Sequence, residues 1–316
     1  MHPTSNPVTS ISAAPAQSAR LSGQSAGAIL AGFRHMLLLA CAALLLAACS
    51  AVTTGYKNAP TLLTWWADRY FDLDHDQEAQ VKERIAALRV WHRTQLPGYN
   101  QMLADAQSRM HRTVTPQDIA WLFAQGEERY RALIAQAAGP AAELAAGLRP
   151  DNLAALEKKL AKNNADFEED YILSTPEKRH EKRYERMLEQ AERWYGSFSR
   201  EQKEKIRELA AQVPENYPLV LEDRRRRQAE VLAILRAAVE KKVPQEETAR
   251  QLKTWAGEFE RGRSPAYRDF GLRYRAGLHQ MFAAIANLAT PQQRQVAEKN
   301  VQRYMHDFTQ LALATD

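Results

Sequence analysis

Eight times along this 316-residue chain a four-residue signature opens an amphipathic run: Asp74–Gln77, Thr115–Asp118, Arg149–Asn152, Thr175–Lys178, Ser199–Gln202, Val243–Glu246, Ser264–Tyr267 and Thr290–Gln293. Most place a capping side chain first, proline second and a polar residue fourth. A Ser, Thr or Asp oxygen accepts from an N–H that the first helical turn leaves unbonded, and proline at that point has no N–H to lose. With a further helix beginning near Tyr217, the signatures predict nine to ten helices. Their intervals are too uneven for a solenoid repeat. No alternating β-branched runs bounded by turns occur, and Gly and Pro sit at junctions. The expected fold is all-α, an elongated helical bundle hinged at Pro/Gly pairs.

Apolar stripes support this within each run. Leu62, Leu63, Trp65, Trp66 and Phe71 fall on most sides of a short helix, as in an element buried by its neighbours. Val81, Ile85, Leu88 and Trp91 recur at helical intervals, and Pro97–Gly98 is expected to kink or break the helix that carries them. A run from Pro116 carries Ile119, Leu122, Phe123, Tyr130 and Leu133, and Gly139–Pro140 is expected to interrupt it. Helices follow near 150–171 and 176–195, with Gly196 placed to terminate the second. Pro214 and Pro218 mark a joint and a sub-boundary near 213–218.

Ahead of this body, Leu37–Ala47 is an uncharged apolar run preceded by Arg34 and His35. It has the length of a secretory signal core and is too short to span roughly 30 Å of hydrocarbon. It ends in Leu46-Ala47-Ala48-Cys49, the pattern of a bacterial lipobox, whereas Cys41 lies inside the apolar run and is the poorer acceptor. Cleavage before Cys49 and acylation of its sulfur would anchor the chain to a membrane outside the cytoplasm, since two or more acyl chains hold stably where one does not. Ser50, a residue other than Asp, favours the outer membrane. The organisation expected is a polar n-region and signal over 1–48, a lipidated tether over 49–60 and a helical periplasmic body over 61–316, with translation starting nearer Arg34.

Removing 1–48 discards Arg20 and Arg34 and no acids, leaving 43 − 2 = 41 Lys and Arg against 38 Asp and Glu, a net of +3. Bulk charge therefore points to no polyanion, and the compartment excludes nucleic acid. Cys49 is committed to lipid, so neither a disulfide nor a thiolate metal site is expected in the body.

Each candidate chemical motif has a plainer reading. Asp72, Asp74, Asp76 and Glu83 mimic calcium-loop spacing, but Gln77 stands where that loop needs glycine and instead completes a capping box with Asp74. His92 has no second His at helical spacing and is expected to be a satisfied, partly buried side chain; His180–Glu181 lacks the second His of a zinc helix. Asp166, Glu168, Glu169 and Asp170 could serve a carboxylate-pair hydrolase only if two converged in a cleft, and are expected to face water or pair with Arg. Arg224, Arg225, Arg226 and Arg227 cover about 300° of a helix, so one or two should pair with acids. The rest form a candidate site for an anionic envelope component such as lipopolysaccharide or phospholipid headgroups. No catalytic residue, cofactor or metal is assigned.

Taken together, the lipobox, Gly55-Tyr56, Ala59-Pro60, Trp65-Trp66, Asp68, Tyr70 and Asp72, then Trp91-His92-Arg93, Leu96-Pro97 and Tyr99, resemble an uncharacterised family of proteobacterial lipoproteins known as a domain of unknown function. Asn164, Asp166-Phe167, Glu169-Asp170-Tyr171, Glu192-Arg193 and Arg224–Gln228 extend the resemblance over about 55–275. It implies a lipid-anchored, helical envelope protein with no catalytic residues to carry over. The expected role is a non-enzymatic interaction or accessory module of a chaperone-like kind, engaging an envelope protein partner or client. Lipid or lipopolysaccharide binding, and peptidoglycan hydrolysis, are the alternatives.

Overall fold

A computed structural model describes residues 52–257 and 263–314. Cys49 and the apolar run over 37–47 lie outside the described residues. Those residues are mostly helical with no strand, in eleven α-helices and one π-helical turn after a short helical stretch over 52–57, slightly more than the nine to ten expected. In order they are α1 (Ala59–Phe71), α2 (His75–Arg93), α3 (Leu96–Met110), α4 (Pro116–Ala146), α5 (Pro150–Phe167), the π turn (Glu168–Ile172), α6 (Pro176–Tyr195), α7 (Arg200–Gln212), α8 (Tyr217–Glu240), α9 (Gln245–Gly257), α10 (Pro265–Leu288) and α11 (Pro291–Leu313).

The start signatures act as their chemistry requires. Asp74, Thr115, Thr175, Ser199, Ser264 and Thr290 each accept from the backbone N–H three residues on. Arg149 has no acceptor to offer, and there the roles reverse: Asn152 reaches back to take the Arg149 N–H at 2.9 Å. Gly196 ends α6 with φ of +76°, a conformation that carries no Cβ penalty in glycine.

Two expectations are corrected. Gly139–Pro140 does not interrupt its helix; α4 runs through it to Ala146 with Pro140 inside. Proline frees the carbonyl four residues back, and Gln136 is exposed, so that carbonyl has water to bond. Buried Ala138, Ala142 and Ala145 keep the segment helical by close packing, and α9 lies against α4 over the most extensive helix pairing in the fold. Nor is α1 buried on most sides. Only Pro60 and Thr64 are buried, while Leu62, Leu63, Trp65 and Trp66 are 53, 48, 58 and 54% exposed.

Two apolar clusters organise the helices. Ala145, Leu153, Leu156, Leu235, Ala238 and Val239, flanked by Tyr70 and Phe71, join α4, α5 and α8 beneath α1. Tyr184, Phe198, Ile206, Val213, Met281 and Ile285 join α6, α7 and α10. The loop Val213–Asn216 between α7 and α8 runs over the second cluster, with Val213 buried. No helix among the described residues is long and apolar enough to cross a membrane.

Candidate functional site

The π turn shapes the most built concavity. Its bond from the Leu173 N–H to the Glu168 carbonyl spans five residues, and the wider turn sets Tyr171 beside Phe167, ring centres 4.8 Å apart. Tyr217, at the first turn of α8, stacks on Tyr171 at 5.0 Å. Facing them across the Val213–Asn216 loop are Tyr267, Phe270 and Tyr274 of α10, with Phe270 stacked on Tyr274 at 5.8 Å. The cleft these elements enclose holds about 560 Å³, within the usual range for a ligand pocket. Burial pushes the Tyr274 phenol up.

Three guanidiniums and one carboxylate line this aromatic cleft. Arg183 is buried, and both its terminal nitrogens are engaged. It donates to the Ala210 and Val213 carbonyls at 3.2 and 2.5 Å, to Tyr217 Oη at 3.1 Å and to Glu215. The charge of Glu215 is thus taken, and Arg183 staples the α7–α8 loop to α6. Arg186 and Arg224 differ. Arg186 donates to Tyr171 Oη at 2.7 Å, and Arg224 lies 5.6 Å from the Phe167 ring. Among the described residues no carboxylate pairs with either. The cleft therefore presents two uncompensated guanidiniums against stacked aromatic rings.

The arginine run divides as its angular spread requires. Arg225 pairs with Glu168 at 3.1 Å, Arg226 with Asp223 at 2.9 Å and with Glu230, and Arg227 donates to the Trp255 carbonyl at 2.9 Å. Burial pushes the Arg227 guanidinium down, with the nearby charge of Arg263 adding to the effect. Of the four, only Arg224 enters the cleft. The acids of 166–170 are likewise distributed. Asp166 pairs with Lys162 at 2.9 Å, Glu168 with Arg225, and Asp170 with Lys182 at 2.6 Å, while Glu169 is exposed.

Asp74 caps α2, with Gln77 returning the bond, and pairs with Arg149. Among the described residues no three His, Cys, Asp or Glu side chains group as a metal site would need. His92 lies in the last turn of α2, its Nδ1 3.1 Å from Tyr56 Oη and its Nε2 3.2 Å from Tyr99 Oη. Burial holds the imidazole below its ordinary value. Sequence reasoning named Arg224 but missed Tyr171, Arg186, Tyr217 and Tyr274. Aromatic and arginine residues as far apart in the chain as Tyr171 and Tyr274 carry no local sign of converging.

A model of a protein family of unknown function matches residues 69–264. The match takes in Phe167, Tyr171, Arg183, Arg186, Tyr217 and Arg224 and ends before the cleft residues of α10. No curated protein and no solved structure matches the chain.

Proposed function

This chain belongs to DUF6279, a family of unknown function, and from its own residues we propose that it is a lipid-anchored cell-envelope protein that works by binding. Acylated Cys49 holds the helical body to the outer membrane from the periplasmic side. The cleft captures the anionic part of an amphipathic ligand, in the class of phospholipids and lipopolysaccharide components. The observation that carries this reading is the pair Arg186 and Arg224, both without a carboxylate partner among the described residues, on a cleft walled by six aromatic rings. Guanidinium forks suit phosphate oxygens, and rings accept the apolar remainder. A binding rather than a catalytic role is supported by Glu215, the one acid in the lining, whose carboxylate is held by Arg183.

Calorimetric titration with short-chain phosphatidylglycerol, and with phosphatidylcholine of the same chain length, tests the ligand class. Each charge-assisted contact is worth about 1.5 kcal/mol or more when shielded from water. Arg186→Gln with Arg224→Gln should therefore weaken the anionic lipid about tenfold to a hundredfold, after a discount for the solvent at Arg186. Unchanged affinity in the double variant, or equal binding of both lipids, would refute the cleft as an anion site. Mass measurement of the amino-terminal peptide from cells tests acylation of Cys49 separately.

A further inference from the structure

The exposed face of α1 has no role in the cleft. At 100° per residue, Trp65, Arg69, Leu62, Trp66 and Leu63 fall within roughly 160° of the helix; Tyr70, which packs against the cluster joining α4, α5 and α8, lies between Trp66 and Leu63, and Pro60, Thr64 and Phe71 occupy the opposite side. A short helix that turns two Trp and two Leu to solvent leaves unburied the apolar surface such side chains ordinarily bury. Cations rim the face. Arg69 stacks its guanidinium 4.9 Å from the Trp65 ring, Lys159 lies 5.8 Å from the Tyr70 ring, and Lys57 is exposed just ahead of the helix. The nearest acid on the helix, Asp68, accepts from the Leu73 N–H at 3.0 Å; Asp72, just past its end, is exposed.

We propose that this face of α1 is a membrane-interface surface, with Trp65 and Trp66 seated at the headgroup level and Leu62 and Leu63 reaching the acyl boundary. Tryptophan favours that depth because its ring is apolar while its indole N–H needs a polar partner. Basic residues flanking the apolar arc meet anionic headgroups. The position of α1 in the chain selects a lipid surface over a protein partner. Val52 follows Cys49 by only three residues of chain, and residues 52–57 are already helical. This argument rests on acylation of Cys49; the exposed arc itself does not. A face so placed would set the orientation of the body on the membrane and remove the freedom of a tether.

The test uses protein extracted from the envelope and reconstituted in phosphatidylethanolamine–phosphatidylglycerol vesicles, with and without brominated acyl chains that quench tryptophan on contact. Two of the six tryptophans lie on the face, so roughly a third of the emission should be quenched. Trp65→Ser with Trp66→Ser should abolish the quenching. Leu62→Ser with Leu63→Ser, which leaves both reporters in place, should reduce it about twofold or more. Circular dichroism establishes that the variants remain folded. Absence of quenching in the unaltered protein, or quenching that survives the tryptophan substitutions, would overturn the proposal. The mass of the amino-terminal peptide is read on the same sample. An unacylated chain with face-dependent quenching refutes the lipid anchor and sustains the interface helix, whereas an acylated chain without quenching does the reverse.

Discussion

Asn152 is the most consequential polar residue in the described body, and removing its amide should be costly. The side chain is 1% exposed at the first turn of α5. Its Nδ2 donates to the Phe71 and Asp72 carbonyls, both at 2.9 Å, where α1 ends. Its Oδ1 accepts from the Arg149 N–H and from Gln77 Nε2, again both at 2.9 Å. Gln77 in turn takes the Asp74 N–H at 3.1 Å and donates to the Gly147 carbonyl at 3.0 Å. Two amides thus satisfy helix ends from α1, α2, α4 and α5 at one point, and the Asp72 carbonyl they hold belongs to a residue with φ of +50°. Asn152→Ala deletes these four bonds, worth about 1 kcal/mol each net, together with a longer one from Nδ2 to Gln77 Oε1 at 3.3 Å, and leaves buried partners unsatisfied, with some cost recovered if water enters. The expected loss is about 3–4 kcal/mol, a fall in Tm of roughly 6–15 °C for a body of this size. Thermal and urea unfolding followed by circular dichroism would measure it. Because Gln77 and Asn152 bond to each other, Gln77→Ala combined with Asn152→Ala should cost about 1 kcal/mol or more less than the sum of the single changes. A loss below about 1 kcal/mol, or strict additivity with Gln77, would refute the network as the clamp on these helix ends.

Asp118 is buried at the start of α4 and receives Arg112 at 2.6 Å, Arg109 at 2.8 Å and the Thr115 N–H at 2.9 Å; the Arg112 bond does most to hold its carboxyl well below the usual carboxylate range. A folded-state value below the unfolded one, near 4, gives stability that is present above pH ~4 and lost as pH falls below it. Asp118→Asn should therefore cost about 1–2 kcal/mol at pH 7, limited by the solvent around both arginines, and the gap to the unaltered protein should close on acidification in urea melts. Gly277 of α10 faces the loop under the cleft, and a Cβ there would stand 2.9 Å from Pro214 Cδ. Gly277→Ala should destabilise by about 1–2 kcal/mol despite alanine's higher helix propensity. Gly126→Ala in α4, where nothing lies within 4 Å, should stabilise by about 0.5–1 kcal/mol, and thermal melts of the pair separate the two effects.

The all-α class and most helix starts are legible in the chain itself, because an N-cap is a contract among four consecutive residues. Thr115, Thr175, Ser199 and Thr290 need no distant partner to seat a first turn. Helix ends and continuity are not local in this way. Gly139–Pro140 is a break by local rules and becomes the interior of α4, because Ala138, Ala142 and Ala145 around it are buried in the fold and Gln136, whose carbonyl loses its donor, is exposed. The apolar residues of α1 read as those of a helix buried on most sides, yet which side is covered depends on what lies beside it, and the neighbours of α1 bury Pro60 and Thr64 and pack on Tyr70 and Phe71 while leaving Leu62, Leu63, Trp65 and Trp66 exposed. The arginine run was visible as a charge anomaly and its partition was not. Whether Arg224 faces a cleft while Arg225 meets Glu168 follows from the azimuth of α8 against the π turn, 57 residues earlier. Sequence by itself determined where helices begin, since capping chemistry acts within one turn. Tertiary structure alone decided which faces meet, and so brought Phe167, Tyr171, Arg186, Tyr217 and Tyr274 to one cleft, because burial and ion pairing act through space between residues the chain keeps far apart.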